Sequence, residues 1–420
     1  MNEPDNYPQH PESLMMSHGY KPWLSEGSLK CPIFQTSTFV FKSAAEGKAF
    51  FELAYGLREK NSGEELGLIY SRLNNPDLEI LEGRLAIWDE AEDSAVFESG
   101  MAAISTVMLE FLRPGQSILY SSPLYGGTHH FIHKVLPGFG INPIGFYPDE
   151  SEEAIYERAY QHHQTHPIGL IFVETPSNPT NQLIDLNIVK RIADRLATPD
   201  HPVITACDNT FMGPMWQKPL RHGIDLALYS ATKFIGGHSD LIAGSVSGKH
   251  PVISRIKVLR TFLGNMAGPW TGWLLMRSLE TLKVRTDRMA INAEIVANFL
   301  ATHPKVNKVL YIGFAREGTN QWRIRDTHCL ANGSMISFII QGGECEAFQF
   351  LDSLRLFRLA VSLGGTESLA EHPASMTHAD IGQEEKQRLG IHEGLIRLSI
   401  GVEHPDDLIA DLTQALSPCI

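Results

Sequence analysis

The stretch Asp225-Leu226-Ala227-Leu228-Tyr229-Ser230-Ala231-Thr232-Lys233-Phe234-Ile235-Gly236-Gly237-His238-Ser239-Asp240 decides how this chain is read. Its apolar start, Asp225 to Tyr229, predicts a strand that delivers Ser230, Thr232 and Lys233 at its carboxyl end. A lysine set between a strand and a glycine pair, and preceded by two hydroxyls, suits an aldehyde cofactor that carries phosphate. The amine can lose its proton and form a Schiff base, Ser230 and Thr232 can donate to phosphate oxygens, and the glycines allow close backbone approach.

Working outward, short apolar runs alternate with helical patterns from Ser94 onward. Strands are expected at Ser94–Phe97, Ser117–Tyr120, Gly169–Glu174, Val203–Cys207 and Leu226–Tyr229, with a helix at Asn187–Leu196. Strands separated by helices imply crossovers and a mostly parallel sheet, hence an α/β fold whose functional loops lie at the strand carboxyl ends. Glu98–Met101, Glu174–Asn178, Asp208–Asn209 and Ser230–Lys233 all fall there and should converge on one crevice. A long helical pattern, Trp273 to Arg288, leads into a smaller C-terminal α/β region with a strand at Met335–Ile340 and a closing helix at Pro405–Leu416. The expected organisation is an N-terminal arm, 1–75, that contacts a neighbouring subunit, a large cofactor-binding domain, 76–270, and a C-terminal domain, 271–420.

Composition narrows the class of function. With 420 residues the chain exceeds one comfortable core. Its 35 basic and 48 acidic side chains leave a formal charge of −13, which opposes nucleic-acid binding. The polar, proline-containing start from Met1 to Ser13 has no apolar signal region, and no apolar run is long enough for a bilayer, so a cytoplasmic protein without membrane contact is expected. Cys31, Cys207, Cys329, Cys345 and Cys419 are scattered, without CxxC spacing, and read as reduced thiols. His162-His163-Gln164-Thr165-His166 lacks a nearby acidic or cysteine partner and reads as a solvated loop, so no metal is assigned. Gly138-Phe139-Gly140 lacks the third glycine of a nicotinamide-binding fingerprint.

The remaining polar residues fit pyridoxal phosphate. Asp208, at the end of a strand, can pair with a protonated ring nitrogen, and Tyr125, in Tyr125-Gly126-Gly127-Thr128, can stack on the ring and move protons. Gly100 and Met101, between a strand and a helix, can offer backbone N–H groups to phosphate.

Taken with Tyr70-Ser71-Arg72-Leu73-Asn74-Asn75-Pro76, Ser99-Gly100-Met101-Ala102-Ala103, Glu174-Thr175-Pro176-Ser177-Asn178-Pro179, Asp208-Asn209-Thr210, Ser362-Leu363-Gly364-Gly365 and Arg397-Leu398-Ser399, these strings resemble the Cys/Met-metabolism family of pyridoxal-phosphate enzymes. That group holds cystathionine γ-synthase, cystathionine γ-lyase and methionine γ-lyase. The resemblance covers nearly the whole chain. It implies a PLP-dependent transferase-like fold (fold type I, aspartate aminotransferase-like). It also implies that Lys233 carries the cofactor, Asp208 pairs with its ring nitrogen and Tyr125 stacks on it. Gly100, Met101, Ser230 and Thr232 would hold the phosphate, Tyr70 and Arg72 would reach a neighbouring subunit's phosphate site, and Asn178, Ser362 and Arg397 would orient cofactor and substrate carboxylate. A site shared in this way implies a homo-oligomer built on an obligate dimer, and the resemblance implies dimers paired into a tetramer.

Within that family, relatives acting on cystathionine or acylated homoserine typically carry charged residues at positions that are Ile69, His130 and Val361 here. The site pattern is nearest methionine γ-lyase, also in Ala360-Val361-Ser362 and His372-Pro373-Ala374-Ser375-Met376-Thr377-His378. Gly127 departs from it by replacing a cysteine, and the segment Phe51 to Leu68 is longer than usual. The resemblance implies γ-elimination from a sulfur amino acid, methionine giving 2-oxobutanoate, ammonia and methanethiol. Alternatives are γ-replacement on an O-acylhomoserine, cystathionine γ-elimination, or a non-catalytic pyridoxal-phosphate protein.

Overall fold

A computed structural model describes residues 10–61, 64 and 67–417 of the chain. The calls on Met1–Gln9, on Cys419 and on part of the segment 51–68 lie outside the described residues.

Seven strands build the first sheet: β1 (Asp93–Phe97), β2 (Ser117–Ser121), β3 (Asn142–Phe146), β4 (Ile168–Glu174), β5 (Ile204–Asp208), β6 (Leu226–Ser230) and β7 (Gly244–Gly248), in the order β1-β7-β6-β5-β4-β2-β3. Only β7 runs antiparallel to its neighbours, so the other six share one direction. Their carboxyl ends therefore share one edge. β4 shows why such a sheet must be covered twice. Leu170 and Phe172 join a core with the helix Gly100–Phe111, while Ile171 and Val173 face the helices Glu152–His163 and Leu186–Leu196.

The helix Leu186–Leu196 begins where Asp185 accepts from the N–H groups of Asn187 and Ile188. It buries Leu186, Val189, Ile192, Ala193 and Leu196, the face of a 3.6-residue period.

Five strands form the second sheet, β8 (Val306–Leu310), β9 (Met335–Ile340), β10 (Arg358–Leu359), β11 (Leu369–Glu371) and β12 (Leu395–Ser399), ordered β10-β11-β12-β9-β8 and antiparallel except for β10 with β11. Ile336, Phe338, Ile396 and Leu398 pack there against the helices Leu282–Thr302, Glu344–Ser353 and Pro405–Leu416.

Several local expectations change. β3 and β7 are strands that apolar patterning does not reveal, because Pro143 and Gly145 occupy an edge strand and β7 reads Gly-Ser-Val-Ser-Gly. The pattern from Trp273 to Arg288 is two helices, Pro269–Leu279 and Leu282–Thr302, broken at Glu280 and Thr281. The first packs on the helix Pro76–Asp89. At the start of the second, buried Arg285 donates to the carbonyls of Phe234 (2.9 Å), Ile235 (3.3 Å) and Ser278 (3.0 Å), pinning the backbone just after Lys233. His162 and His163 end the helix Glu152–His163 rather than lying in a loop, with His163 Nδ1 accepting from the Ile168 N–H. The helix Ala44–Ala54, capped by Ser43, lies within the stretch expected to be an arm. Among the described residues, no helix is long and apolar enough to cross a membrane.

Candidate active site

A cavity of about 540 Å³ opens at the carboxyl edge of the first sheet. One wall comes from the ends of β1, β4, β5 and β6, which bring Gly100, Met101, Asn178, Asp208, Ser230, Thr232 and Lys233 together as expected, with Tyr125 beside them. The opposite wall comes from the second sheet and its loops, through Ser362 and Arg397.

At the end of β1, Ser99 caps the helix Gly100–Phe111 by accepting from the Ala102 N–H. The first N–H groups of a helix have no partner within it, so those of Gly100 and Met101 are free to meet an anion. A Cβ on Gly100 would lie 2.9 Å from Ser230 Cβ, which explains the glycine: the loop presses directly on β6. Gly244, in β7 and paired with Ser230, also has its backbone against Ser99 and Gly100, and a Cβ there would meet Gly100 Cα at 2.9 Å. Thr232 also lines the cavity, with its hydroxyl held by the backbone of Ala243 (3.2 and 3.0 Å).

Asp208 and Glu174 end adjacent strands and face each other in register. Asp208 accepts from the Thr210 hydroxyl (2.5 Å) and N–H (3.0 Å), and Thr210 in turn accepts from the Ser230 N–H (2.9 Å), tying the ends of β5 and β6. Glu174 accepts from the N–H groups of Tyr125 (2.7 Å) and Asn178 (3.2 Å). Burial pushes both carboxyls above their ordinary range, and the Asp208 charge adds to the effect on Glu174. Among the described residues, Asp208 has no ion-pair partner.

Lys233 Nζ donates to Ser362 Oγ at 2.6 Å. Burial, helped by the Arg397 charge, lowers its ammonium to about 8. Gly364, at φ +74°, is needed where its backbone lies on the lysine loop: a Cβ there would fall 2.7 Å from the Phe234 nitrogen. Arg397 is 3% exposed and donates to Asn178 Oδ1 (3.0 Å), the Ser362 carbonyl (2.8 Å) and Glu371 Oε1 (2.8 Å).

Tyr70 and Arg72 do not line this cavity. Both are exposed on the arm, with Arg72 donating to the Thr261 carbonyl at 2.7 Å and its guanidinium 5.9 Å from the Tyr70 ring centre. Of Ile69, His130 and Val361, only Val361 reaches the cavity from the same chain. Thr210 and Glu371 belong to the site's bonding network without having been assigned a task from sequence, and Glu174 was read only as part of a motif. A lone carboxylate closing the short apolar run Leu369-Ala370-Glu371 is the signal that could have found the second.

The residues fit pyridoxal phosphate. A donor-rich helix start suits an anion, the amine of Lys233 lines the same cavity, and Asp208 is a buried carboxyl group with no cation beside it among the described residues. Among the described residues no cluster of three or more His, Cys, Asp or Glu is arranged to hold a metal ion.

Comparison with known proteins agrees. The family model for the Cys/Met metabolism PLP-dependent enzyme matches residues 12–417. The L-methionine gamma-lyase of Pseudomonas putida is 38% identical over 401 residues, 95% of each chain. The cystathionine gamma-lyase of Sus scrofa is 39% identical over 365 residues, 87% of each. The solved cystathionine gamma synthase of Xanthomonas oryzae pv. oryzae superposes with a TM-score of 0.87 at 31% identity, covering 98% of this chain and 99% of that one. With a family match along almost its whole length and a cavity whose donors, amine and carboxylate suit that cofactor, the chain belongs to the Cys/Met metabolism family of PLP-dependent enzymes.

Proposed function

We propose that this enzyme catalyses γ-elimination from methionine or a closely similar sulfur amino acid, consuming water and releasing 2-oxobutanoate, ammonia and a thiol. The observation that carries the choice of substrate is the apolar rim of the cavity. Ile242, Val361 and Met376 line it and stay 65%, 55% and 36% exposed, so a short uncharged γ-substituent finds matching surface. The cavity's charged side chains from this chain are Glu174, Asp208, Lys233 and Arg397, which leaves none at the rim for a distal amino-acid group. Burying such a group unpaired would be costly.

When bound, pyridoxal phosphate supplies an electron sink for charge developing at the substrate α-carbon. Gly100 and Met101 N–H groups and the Ser230 and Thr232 hydroxyls hold its phosphate, joined by Tyr70 and Arg72 of a neighbouring copy, and Asp208 supplies the anion for its ring nitrogen. Arg397 binds the substrate carboxylate, with Asn178 and Ser362 fixing its guanidinium. Lys233 carries the cofactor, and once released its amine, lowered towards 8 by burial, accepts the α-proton more readily than an ordinary lysine would. Tyr125 protonates the departing sulfur. On this reading the protein works as a cytoplasmic homo-oligomer, with an arm over 1–75, a cofactor-binding domain over 76–270 and a C-terminal domain over 271–420.

Similarity to cystathionine gamma synthase favours one second reading, γ-replacement on an O-acylhomoserine. The two separate in one experiment. Incubation with methionine should release methanethiol and 2-oxobutanoate, whereas cystathionine formed from O-succinylhomoserine and cysteine, without thiol release from methionine, reverses the assignment.

A further inference from the structure

Glu371 is wholly buried and closes β11 directly opposite Arg397 in the register with β12. Its Oε1 accepts from Arg397 Nη1 (2.8 Å) and from the Thr377 hydroxyl (3.0 Å), while its Oε2 has no hydrogen-bond partner. Arg397 Nε is likewise buried without one. The guanidinium is already oriented by two neutral acceptors, Asn178 Oδ1 and the Ser362 carbonyl. Glu371 is therefore one of three acceptors that aim it. What Glu371 adds is a second negative charge beside the group that must receive the substrate's own carboxylate.

We propose that Glu371 is a positioning residue acting through Arg397: an internal counter-carboxylate that compensates the buried guanidinium between turnovers and weakens its grip on substrate and product. This rests on reading Arg397 as the carboxylate anchor. A buried arginine without an anion is costly, so the site is stable when empty. When a substrate carboxylate arrives, two anions share one cation, and their repulsion in a partly desolvated pocket opposes tight binding. The groups facing Glu371 are Arg397 from β12, Lys233 from the loop after β6, and His372 and Thr377 from its own loop. Of these Lys233 feels it directly, since the Glu371 charge favours the protonated amine.

The test uses the loaded enzyme and whichever amino acid it turns over, with butanoate, a carboxylate without an amine, as competitive inhibitor. Glu371→Gln keeps the shape and an acceptor for Nη1 but removes the charge. Its butanoate Ki should fall about tenfold relative to wild type, as expected from lost repulsion at short range. KM should fall with it and kcat should not rise. A purely structural role predicts the opposite, weaker binding. An unchanged or raised Ki in Glu371→Gln overturns the proposal, and Glu371→Met carries the same test should the glutamine variant fail to fold. Arg397→Lys is the control. If it weakens butanoate while Glu371→Gln changes nothing, only the role of Glu371 is lost; if it leaves butanoate unchanged, the anchor reading falls as well.

Discussion

Lys233 and Ser362 meet across the cavity, amine to hydroxyl at 2.6 Å, although 129 positions separate them in the chain. Ser362 holds that place at φ +92°, a backbone region that side chains with a Cβ rarely adopt. Such strain costs about 1–3 kcal/mol and is tolerated where a side chain is wanted in one place. Ser362→Gly should therefore raise thermal stability by about 1 kcal/mol while lowering kcat several-fold, read by melting and steady-state kinetics. A variant both less stable and fully active would contradict this account of the serine.

The pH behaviour of Lys233 follows from its burial. In the cofactor-free protein the amine is neutral above about 8, against an ordinary value of 10.5. Covalent capture of pyridoxal phosphate, followed by its visible absorbance, should speed up as pH rises towards 8 and then level off, because the neutral amine is the nucleophile. Between pH 8 and 10.5 the unfolded chain keeps a proton that the folded chain has lost, so this residue's contribution to stability grows as pH rises through that window. Lys233→Ala should remove both the pH-dependent capture and about 10³-fold or more of turnover.

Gly100→Ala tests the phosphate loop. The added methyl would sit 2.9 Å from Ser230 Cβ, and relief requires moving either the helix start or β6. A loss of about 1–3 kcal/mol in stability is expected, together with weaker retention of cofactor on dialysis. Retention equal to wild type would show that the loop does not grip the phosphate.

The proposed contribution of Tyr70 and Arg72 from a neighbouring copy can be tested by mixing. Arg72→Ala and Lys233→Ala should each be nearly inactive. Co-refolded in equal amounts, they should recover about a quarter of wild-type activity, since half of random dimers are mixed and each mixed dimer has one intact site. No recovery would mean that Arg72 serves its own chain.

Much of the cavity lining was readable because the expected residue types stand at strand ends, and those strings are local. Lys233, Asp208, Ser230 and Gly100 each stand where a strand turns towards a helix or loop, and a parallel sheet brings such turns to one edge. β7 was not readable because its Gly-Ser-Val-Ser-Gly sequence becomes a strand only through pairing on both sides. The break at Glu280–Thr281 is hidden because Leu279 and Leu282 keep a helical spacing across it. Glu371 escaped for another reason: a carboxylate closing a short apolar run marks it locally, but its meeting with Arg397 depends on the β11–β12 register, which joins residues 26 positions apart.

Gly244 has no chemistry to offer, yet the turn at Ser99 and Gly100 rests on its bare backbone. Any side chain there would collide with the Ser99 and Gly100 backbone, displace that turn and spoil the proposed anion cradle. In a scan of every substitution, position 244 should prove as intolerant as the lysine itself, and a screen for inactive variants would find a silent residue beside the reactive ones.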